Sequence, residues 1–207
     1  MGRDEARRQK SLKKKKAKRE EKRAHLARLH SPDPTISLEA CVDWPIIACL
    51  IPEELWENGI GQLILARRMP DGRVAAAIFL VDTYCLGVKN ALCKLLAPAH
   101  YREHIEGLKR NLGDYREVAP EYLAKLVSDA VAYARALGIE PHPDYRVASL
   151  LLGGIDASQC FETFQFGKDG NPYYVRGPHE SVARGKAIAE RVAAAGGHFL
   201  VPVEPGD

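Results

Sequence analysis

Apolar residues are distributed along this chain with two different spacings. Apolar-rich runs of strand length occupy residues 44–51, 62–68 and 73–82, and the last two flank a turn at Met69-Pro70-Asp71-Gly72. Runs that are apolar on both faces are typical of strands that lie inside a sheet and are covered on both sides. The pattern therefore predicts an antiparallel hairpin in a sheet that is packed against helices.

Helical spacing of apolar residues is found in three longer segments, 99–112, 120–137 and 180–195. The clearest face belongs to the second segment and consists of Leu123, Leu126, Val127, Ala130, Ala134 and Leu137. Two further helices are predicted over 52–59, which has a proline in its first turn and ends on glycine, and over 86–97, which precedes a proline.

The remaining apolar runs predict additional strands. One covers residues 147–155, and a second hairpin is formed by 161–166 and 173–176 around a turn rich in glycine and asparagine. A last strand, 198–203, contains Pro202, which places it at a sheet edge. Together these elements predict an α+β fold, a mainly antiparallel sheet built from two hairpins and covered by helices, with a basic N-terminal arm.

Composition excludes several classes of protein. The chain has 207 residues, 46% of them hydrophobic and 28% charged, as is usual for soluble globular proteins. Its longest unbroken apolar run is the eight residues from 74 to 81, whereas a membrane helix needs about 18. The first residues do not have the pattern of a secretion signal. We therefore expect a cytoplasmic protein with no membrane partner.

Charge is divided unevenly between two parts of the chain. Residues 1–30 carry 13 Lys/Arg against four Asp/Glu, a net charge of +9, whereas the other 177 residues carry 17 basic and 23 acidic groups, a net charge of −6. The basic part has no aromatic residue and no apolar stripe. We predict that 1–33 is an arm, either disordered or helical on a partner, and that 34–207 is a single α+β domain.

The basic arm indicates binding to a phosphate backbone, because clustered cations release the counterions that are condensed on nucleic acid. Its candidate contacts are Lys13, Lys14, Lys15, Lys16, Lys18, Arg19, Lys22 and Arg23. The favoured function is binding of nucleic acid, with RNA or a ribonucleoprotein as the partner. The same run also suits an import signal. In a second alternative, the chain is an interaction protein whose arm is merely solvated and binds no specific partner.

Aromatic residues of the second predicted hairpin form a candidate stacking surface. Phe164 and Phe166 share one face of their strand, and Tyr174 and Arg176 share one face of theirs. Rings beside cations on a sheet are one way in which proteins hold single-stranded RNA. The competing interpretation is that these rings belong to the core beneath the neighbouring helices.

One segment favours a different class, an intracellular metal-dependent hydrolase or nuclease. Asp82 follows four apolar residues where a predicted strand leads into the predicted 86–97 helix, and Lys89 lies in the first turn of that helix. A helix start there would attract an anion and lower the pKa of the Cys85 thiol. Asp156, after another apolar run, is the candidate second carboxylate. The alternative role of both acids is to cap a helix or close a turn.

Other chemistry finds little support in the sequence. His100 and His104 have a spacing that two zinc ligands can use, but both flank the predicted apolar stripe, so we expect them to be solvated. The five cysteines form no C-x-x-C pair, which predicts reduced thiols. Neither a P-loop, a dinucleotide fingerprint nor a G-x-S-x-G motif occurs, and we predict no cofactor and no metal.

Overall fold

The computed structural model describes residues 38–177 and 180–200 and confirms the predicted α+β class. Its main feature is a five-stranded antiparallel sheet with the strand order β4-β3-β2-β1-β5. The strands are β1 (Ile46–Pro52), β2 (Ile60–Arg68), β3 (Val74–Asp82), β4 (Gly87–Leu96) and β5 (Tyr115–Glu117). The predicted basic arm 1–33, the first residues of the predicted domain (34–37) and positions 201–203 of the last strand lie outside the described residues.

Five α-helices accompany this sheet in the described part of the chain. They are α1 (Leu55–Asn58), α2 (Pro98–Leu112), α3 (Pro120–Ala136), α4 (Tyr145–Ala148) and α5 (Val182–Ala194). The helices predicted over 52–59, 99–112, 120–137 and 180–195 are therefore confirmed, with ends that differ by a few residues. None of the helices in the described ranges has the length and apolar character needed to cross a bilayer.

The β2–β3 hairpin forms as predicted and lies at the centre of the sheet. The two strands pair without interruption from Ile60 opposite Asp82 to Arg68 opposite Val74, and most of their side chains are buried. Helix α3 buries its apolar face, including Leu123 and Leu126, against the sheet. Two-sided burial explains why these strands are apolar on both faces.

Strand β4 replaces the helix predicted over 86–97, and that prediction was wrong. Residues Gly87–Leu96 pair with β3 along its whole length, with a bulge where the register shifts between Leu80 and Val81. A short apolar run is compatible with the residue spacing of a helix and with that of a strand. Here the segment forms a strand because the edge of β3 is open for pairing. Gly87 begins the strand at φ 59°, and a Cβ there would lie 2.5 Å from the Ala130 carbonyl oxygen of α3.

Two other predicted elements were also wrong. Residues 147–155 are not a strand, because α4 and a 3-10 helix over Ser149–Leu152 occupy this segment. The second hairpin is also absent: 161–166 form no strand, and β6 (Tyr173–Val175) pairs in parallel with β7 (His198–Leu200). The Phe164 and Phe166 rings pack against α1 and α3, and this side-chain packing replaces the predicted pairing with 173–176.

Candidate functional site

Aromatic side chains from three separate parts of the chain form one cluster on the protein. The Trp56 ring of α1 is stacked on Phe164 with centroids 5.8 Å apart and meets Phe166 edge-on at 5.9 Å. Helix α3 contributes Tyr122, edge-on to Phe164 at 5.0 Å, and Tyr133, stacked on Phe166 at 5.2 Å. Offset and edge-on contacts of this kind stabilise ring clusters beyond simple burial.

A cavity of about 530 Å³ opens beside this cluster. Its lining combines rings, backbone and charged groups and consists of Trp56, Tyr84, Tyr122, Glu162, Thr163, Phe164, Gln165, Gly167, Lys168, Asp169 and Gly170. This volume is within the range of pockets for small ligands and accommodates one nucleotide. The rings offer a stacking surface, and the polar groups offer hydrogen bonds to the edge of a base.

Cations lie over two rings of the cavity lining, Phe164 and Tyr122, and over the neighbouring Tyr173. Lys125 Nζ is 5.2 Å from the Phe164 centroid, and Lys168 Nζ is 4.9 Å from the centroid of Tyr173. The Arg116 guanidinium lies 5.4 Å from the centroid of Tyr122. Lys125 also pairs with Asp129 one helical turn away, so its positive charge is partly neutralised. Rings with adjacent cations are the combination found in single-strand binding surfaces.

Backbone hydrogen bonds fix the chain directly after Phe164 and Phe166. Gly167 N donates to Thr83 O at 2.9 Å, and Tyr173 N donates to Tyr84 O at 3.1 Å, so the turn over 168–172 is attached at both ends to the β3–β4 turn. Asp169 has a φ of 53°, which the tight turn between these attachments requires. This turn is thereby held against the sheet although it forms no strand.

Only part of this surface was predicted from the sequence. Phe164 and Phe166 are at the site, but Tyr174 is fully buried in another cluster and is not part of it. Trp56 and Tyr122 were missed, because their approach to Phe164 depends on tertiary packing across more than 40 residues of chain. The predicted phosphate contacts Lys13–Lys16, Lys18, Arg19, Lys22 and Arg23 lie outside the described residues.

Asp82 closes the turn between β3 and β4. One carboxylate oxygen accepts hydrogen bonds from Tyr84 N at 3.0 Å and from Cys85 N at 2.8 Å. Burial raises the pKa of Asp82 above its usual value, against the opposing effect of these backbone amides and of Lys89. Because a strand follows this turn, the helix start that was expected to bind an anion here does not form.

Cys85 and Lys89 lie near Asp82, together with a residue that the sequence did not indicate. Burial, with the charges of Asp82 and Glu180, raises the pKa of the Cys85 thiol to about 12, which keeps the thiol neutral. Lys89 Nζ lies 3.8 Å from Glu180 Oε2. The same oxygen accepts hydrogen bonds from Gly177 N at 2.8 Å and from the Tyr174 hydroxyl at 3.2 Å. This arrangement links Glu180, just before α5, to strand β4.

Asp156 has a local role on the surface. It is exposed, and it caps the 3-10 helix Ala157–Gln159 by accepting hydrogen bonds from Ser158 N at 3.0 Å and Ser158 Oγ at 2.7 Å. Hydrogen bonds from Ser158 and Gln159 hold the pKa of Asp156 below its usual value. Across residues 38–177 and 180–200, no three His, Cys, Asp or Glu side chains are grouped so that they could hold a metal.

The residues that the structure describes thus form an α+β fold with an aromatic cavity at the β3–β4 turn. The chain matches no protein-family model, no curated protein and no solved structure.

Proposed function

We propose that this protein binds single-stranded nucleic acid, with RNA as the favoured polymer. The observation that supports this proposal is the aromatic cavity, in which Trp56, Tyr122 and Phe164 surround a space of nucleotide size with Lys125 over one ring. Unpaired bases expose both faces for stacking, and every base has such a face, so this surface suits a single strand of any sequence. The proposal places the protein in the cytoplasm.

The charge distribution supports a division of roles between arm and cavity. Outside residues 1–30 the chain has a net charge of −6, so long-range attraction to phosphates does not come from that part. The +9 net charge of residues 1–30 provides it instead. In this proposal the arm contacts the sugar-phosphate backbone without sequence preference, and the cavity takes one base.

Trp56 gives a direct readout of base stacking. The chain has two tryptophans, and the other, Trp44, is only 7% exposed, so quenching of fluorescence by single-stranded oligouridine is expected to report on Trp56. Replacing Trp56 with alanine is expected to remove the quenching and to weaken binding, measured by fluorescence anisotropy of a labelled strand, about tenfold.

Phe161 provides the matched control for this experiment. Its ring is 91% exposed and lies outside the cavity lining, although it is part of the same chain segment. Phe161→Ala is expected to bind oligouridine as the unmodified protein does. Equal affinities of Trp56→Ala and the unmodified protein would show that the cavity does not stack a base.

Salt dependence tests the role of the arm. If about five phosphates are neutralised, the logarithm of the affinity is expected to fall with the logarithm of salt concentration with a slope of roughly −3.5 on single strands and −4.5 on duplex DNA. Replacement of Lys13–Lys16 by alanine is expected to flatten the slope on single strands by about 3 and to weaken all sequences alike. Filter binding across a salt series measures both slopes.

A chain that starts at Pro34 completes this comparison. It is expected to retain the Trp56 quenching at high concentration of oligouridine and to lose most of the salt dependence. If full-length protein binds no nucleic acid at low salt, the proposal is wrong and the arm only solvates the protein. If affinity is independent of salt, the arm does not contact phosphates.

A further inference from the structure

A second cavity, of about 590 Å³, opens over the sheet at the end where β2 begins and β3 ends. None of its lining residues also lines the aromatic cavity. Two large apolar side chains are exposed there: Ile60 of β2 is 41% exposed, and Leu112, the last residue of α2, is 51% exposed. Pro52, Leu80 and the ring of Tyr115 complete the apolar part of the lining. The cavity is therefore an apolar groove that remains open to solvent.

Strand pairing places the groove on a face of the sheet that is covered elsewhere. Gln62 lies opposite Leu80 in the β2–β3 pair, and Ile60 shares the face of Gln62 because alternate residues of a strand point to the same side. Further along this face of β2, Ile64 is only 1% exposed. Helix α2, which is described over its whole length, has no fully buried side chain and leaves the groove open. An apolar concavity at an incompletely covered sheet face is typical of an interaction site.

The charged residues in the described lining of this groove are all acidic. They are Glu53, Glu54 and Asp114, and all three are exposed. Glu53 N donates to Asp114 O at 3.0 Å, so these two acidic residues are direct neighbours. Within residues 38–177 and 180–200, no Lys, Arg or His nitrogen lies within 4.0 Å of the three carboxylates. Because like charges that lie close together repel, a cation from outside stabilises this rim.

We propose that this groove docks a peptide segment of a partner protein in which leucine-like side chains are flanked by lysine or arginine. The apolar side chains of the segment contact Ile60 and Leu112. Its cations lie beside Glu53, Glu54 and Asp114. Complementary charge favours this partner, because the same carboxylates repel nucleic acid and acidic peptides. The groove has room for several side chains of such a segment.

The apolar and acidic parts of the groove together distinguish this partner from simpler cations. In the part of the chain that the structure describes, these acids are not grouped so that they could hold a metal ion. A hydrophilic polyamine would satisfy the carboxylates and leave the apolar side chains in water. A segment with both kinds of side chain covers both parts of the groove, as in other peptide-binding grooves. The proposal uses none of the residues of the aromatic cavity and is independent of nucleic-acid binding.

The test uses full-length protein and a fluorescein-labelled peptide, Lys-Arg-Leu-Leu-Arg-Lys, as the probe, with binding measured by anisotropy. Leu112→Ser is expected to weaken binding about fivefold, and Leu150→Ser, which changes a leucine 39% exposed outside the groove, is its control. The double variant Glu53→Gln and Glu54→Gln is expected to weaken binding about fivefold at about 50 mM salt and much less at about 300 mM, because salt screens exposed charges. Glu190→Gln, at an exposed glutamate of α5, is the control for charge. Both control variants are expected to bind as the unmodified protein does.

Glycine amide resonances provide a readout that does not depend on any variant. The peptide is expected to shift the signals of Gly61 and Gly113, which line the groove, and to leave that of Gly170 in the aromatic cavity unchanged. Absence of binding at about 1 mM peptide, or equal affinities of Leu112→Ser and Leu150→Ser, would overturn the proposal. The same conclusion would follow if a peptide with serine in place of both leucines bound as tightly, because charge alone would then account for the attraction.

Discussion

Replacement of Arg67 by methionine is expected to lower the free energy of unfolding by about 3 to 4 kcal/mol. The Arg67 side chain is only 3% exposed, and its partners are carbonyl oxygens of the chain. Nε donates to Leu151 O at 2.8 Å, and Nη2 donates to Gly153 O at 2.7 Å. Nη1 donates to Trp44 O at 2.8 Å and to Val42 O at 3.3 Å. Arg67 thus joins two distant segments to the centre of the sheet.

The cost arises mainly from the groups that Arg67 leaves behind. Methionine fills much of the same volume, so the variant leaves four backbone acceptors without a donor rather than opening a large cavity. In a chain of this length, a loss of 3 kcal/mol corresponds to a decrease of about 10 °C in Tm, which differential scanning calorimetry measures.

Two further variants test this explanation of the Arg67 effect. Arg68→Met changes the next, exposed residue of β2 and is expected to alter stability by no more than about 0.5 kcal/mol. Arg67→Lys is expected to fall between the two, because one ammonium group cannot reproduce the fork that reaches four carbonyls. Similar melting temperatures for Arg67→Met and Arg68→Met would show that these hydrogen bonds do not hold the segments together.

Arg67 also illustrates where prediction from the sequence ends. The β2–β3 hairpin and helix α3 were predictable because their turn, caps and apolar spacing are local properties of the chain. By the same local reasoning, a charged residue near the end of a predicted strand is expected to be exposed to solvent. Arg67 is buried instead, because it binds carbonyl oxygens of residues more than 20 and more than 80 positions away, and no local pattern in the sequence indicates these contacts.

The same distinction applies to the aromatic cavity and to β4. The alternating Phe164 and Phe166 suggested a stacking surface, but Trp56 reaches it only through the tertiary fold. The segment that became β4 has apolar residues compatible with a helix, and pairing with the edge of β3 determines its conformation. Local propensity was therefore a weak guide wherever a long-range backbone partner was available.

Replacement of Asp82 by alanine is expected to lower the free energy of unfolding by about 2 kcal/mol, and replacement by asparagine is expected to preserve it. Alanine leaves the amide groups of Tyr84 and Cys85 without the acceptor that the Asp82 carboxylate provides. The asparagine side chain has a carbonyl oxygen that can accept the same two hydrogen bonds. Chemical denaturation at neutral pH measures both differences.

The raised pKa of Asp82 gives this comparison a pH dependence. Burial favours the protonated acid in the folded state, so this group's contribution to stability is fully present below its unfolded pKa of about 3.9 and is lost as pH rises through the higher folded value. Asparagine does not ionise. The stability of Asp82→Asn relative to the unmodified protein is therefore expected to increase from acidic to neutral pH. A constant difference would contradict burial as the cause of the pKa shift.

Activity measurements on the same variants separate the structural role of Asp82 from the alternative, a metal-dependent hydrolase or nuclease that uses Asp82 and Asp156. In that alternative both Asp82→Ala and Asp82→Asn abolish cleavage of single-stranded RNA or of a phosphodiester in the presence of Mg²⁺ or Mn²⁺, although Asp82→Asn folds normally. We expect no such cleavage from the unmodified protein, because the Asp82 carboxylate is engaged by two backbone amides and Asp156 caps an exposed turn.

Metal-dependent cleavage that is lost in Asp82→Asn and in Asp156→Asn would establish the enzyme instead. Loss of stability in Asp82→Ala alone, without any cleavage to lose, would leave Asp82 as the residue that holds the β3–β4 turn to which the chain directly after Phe166 is attached.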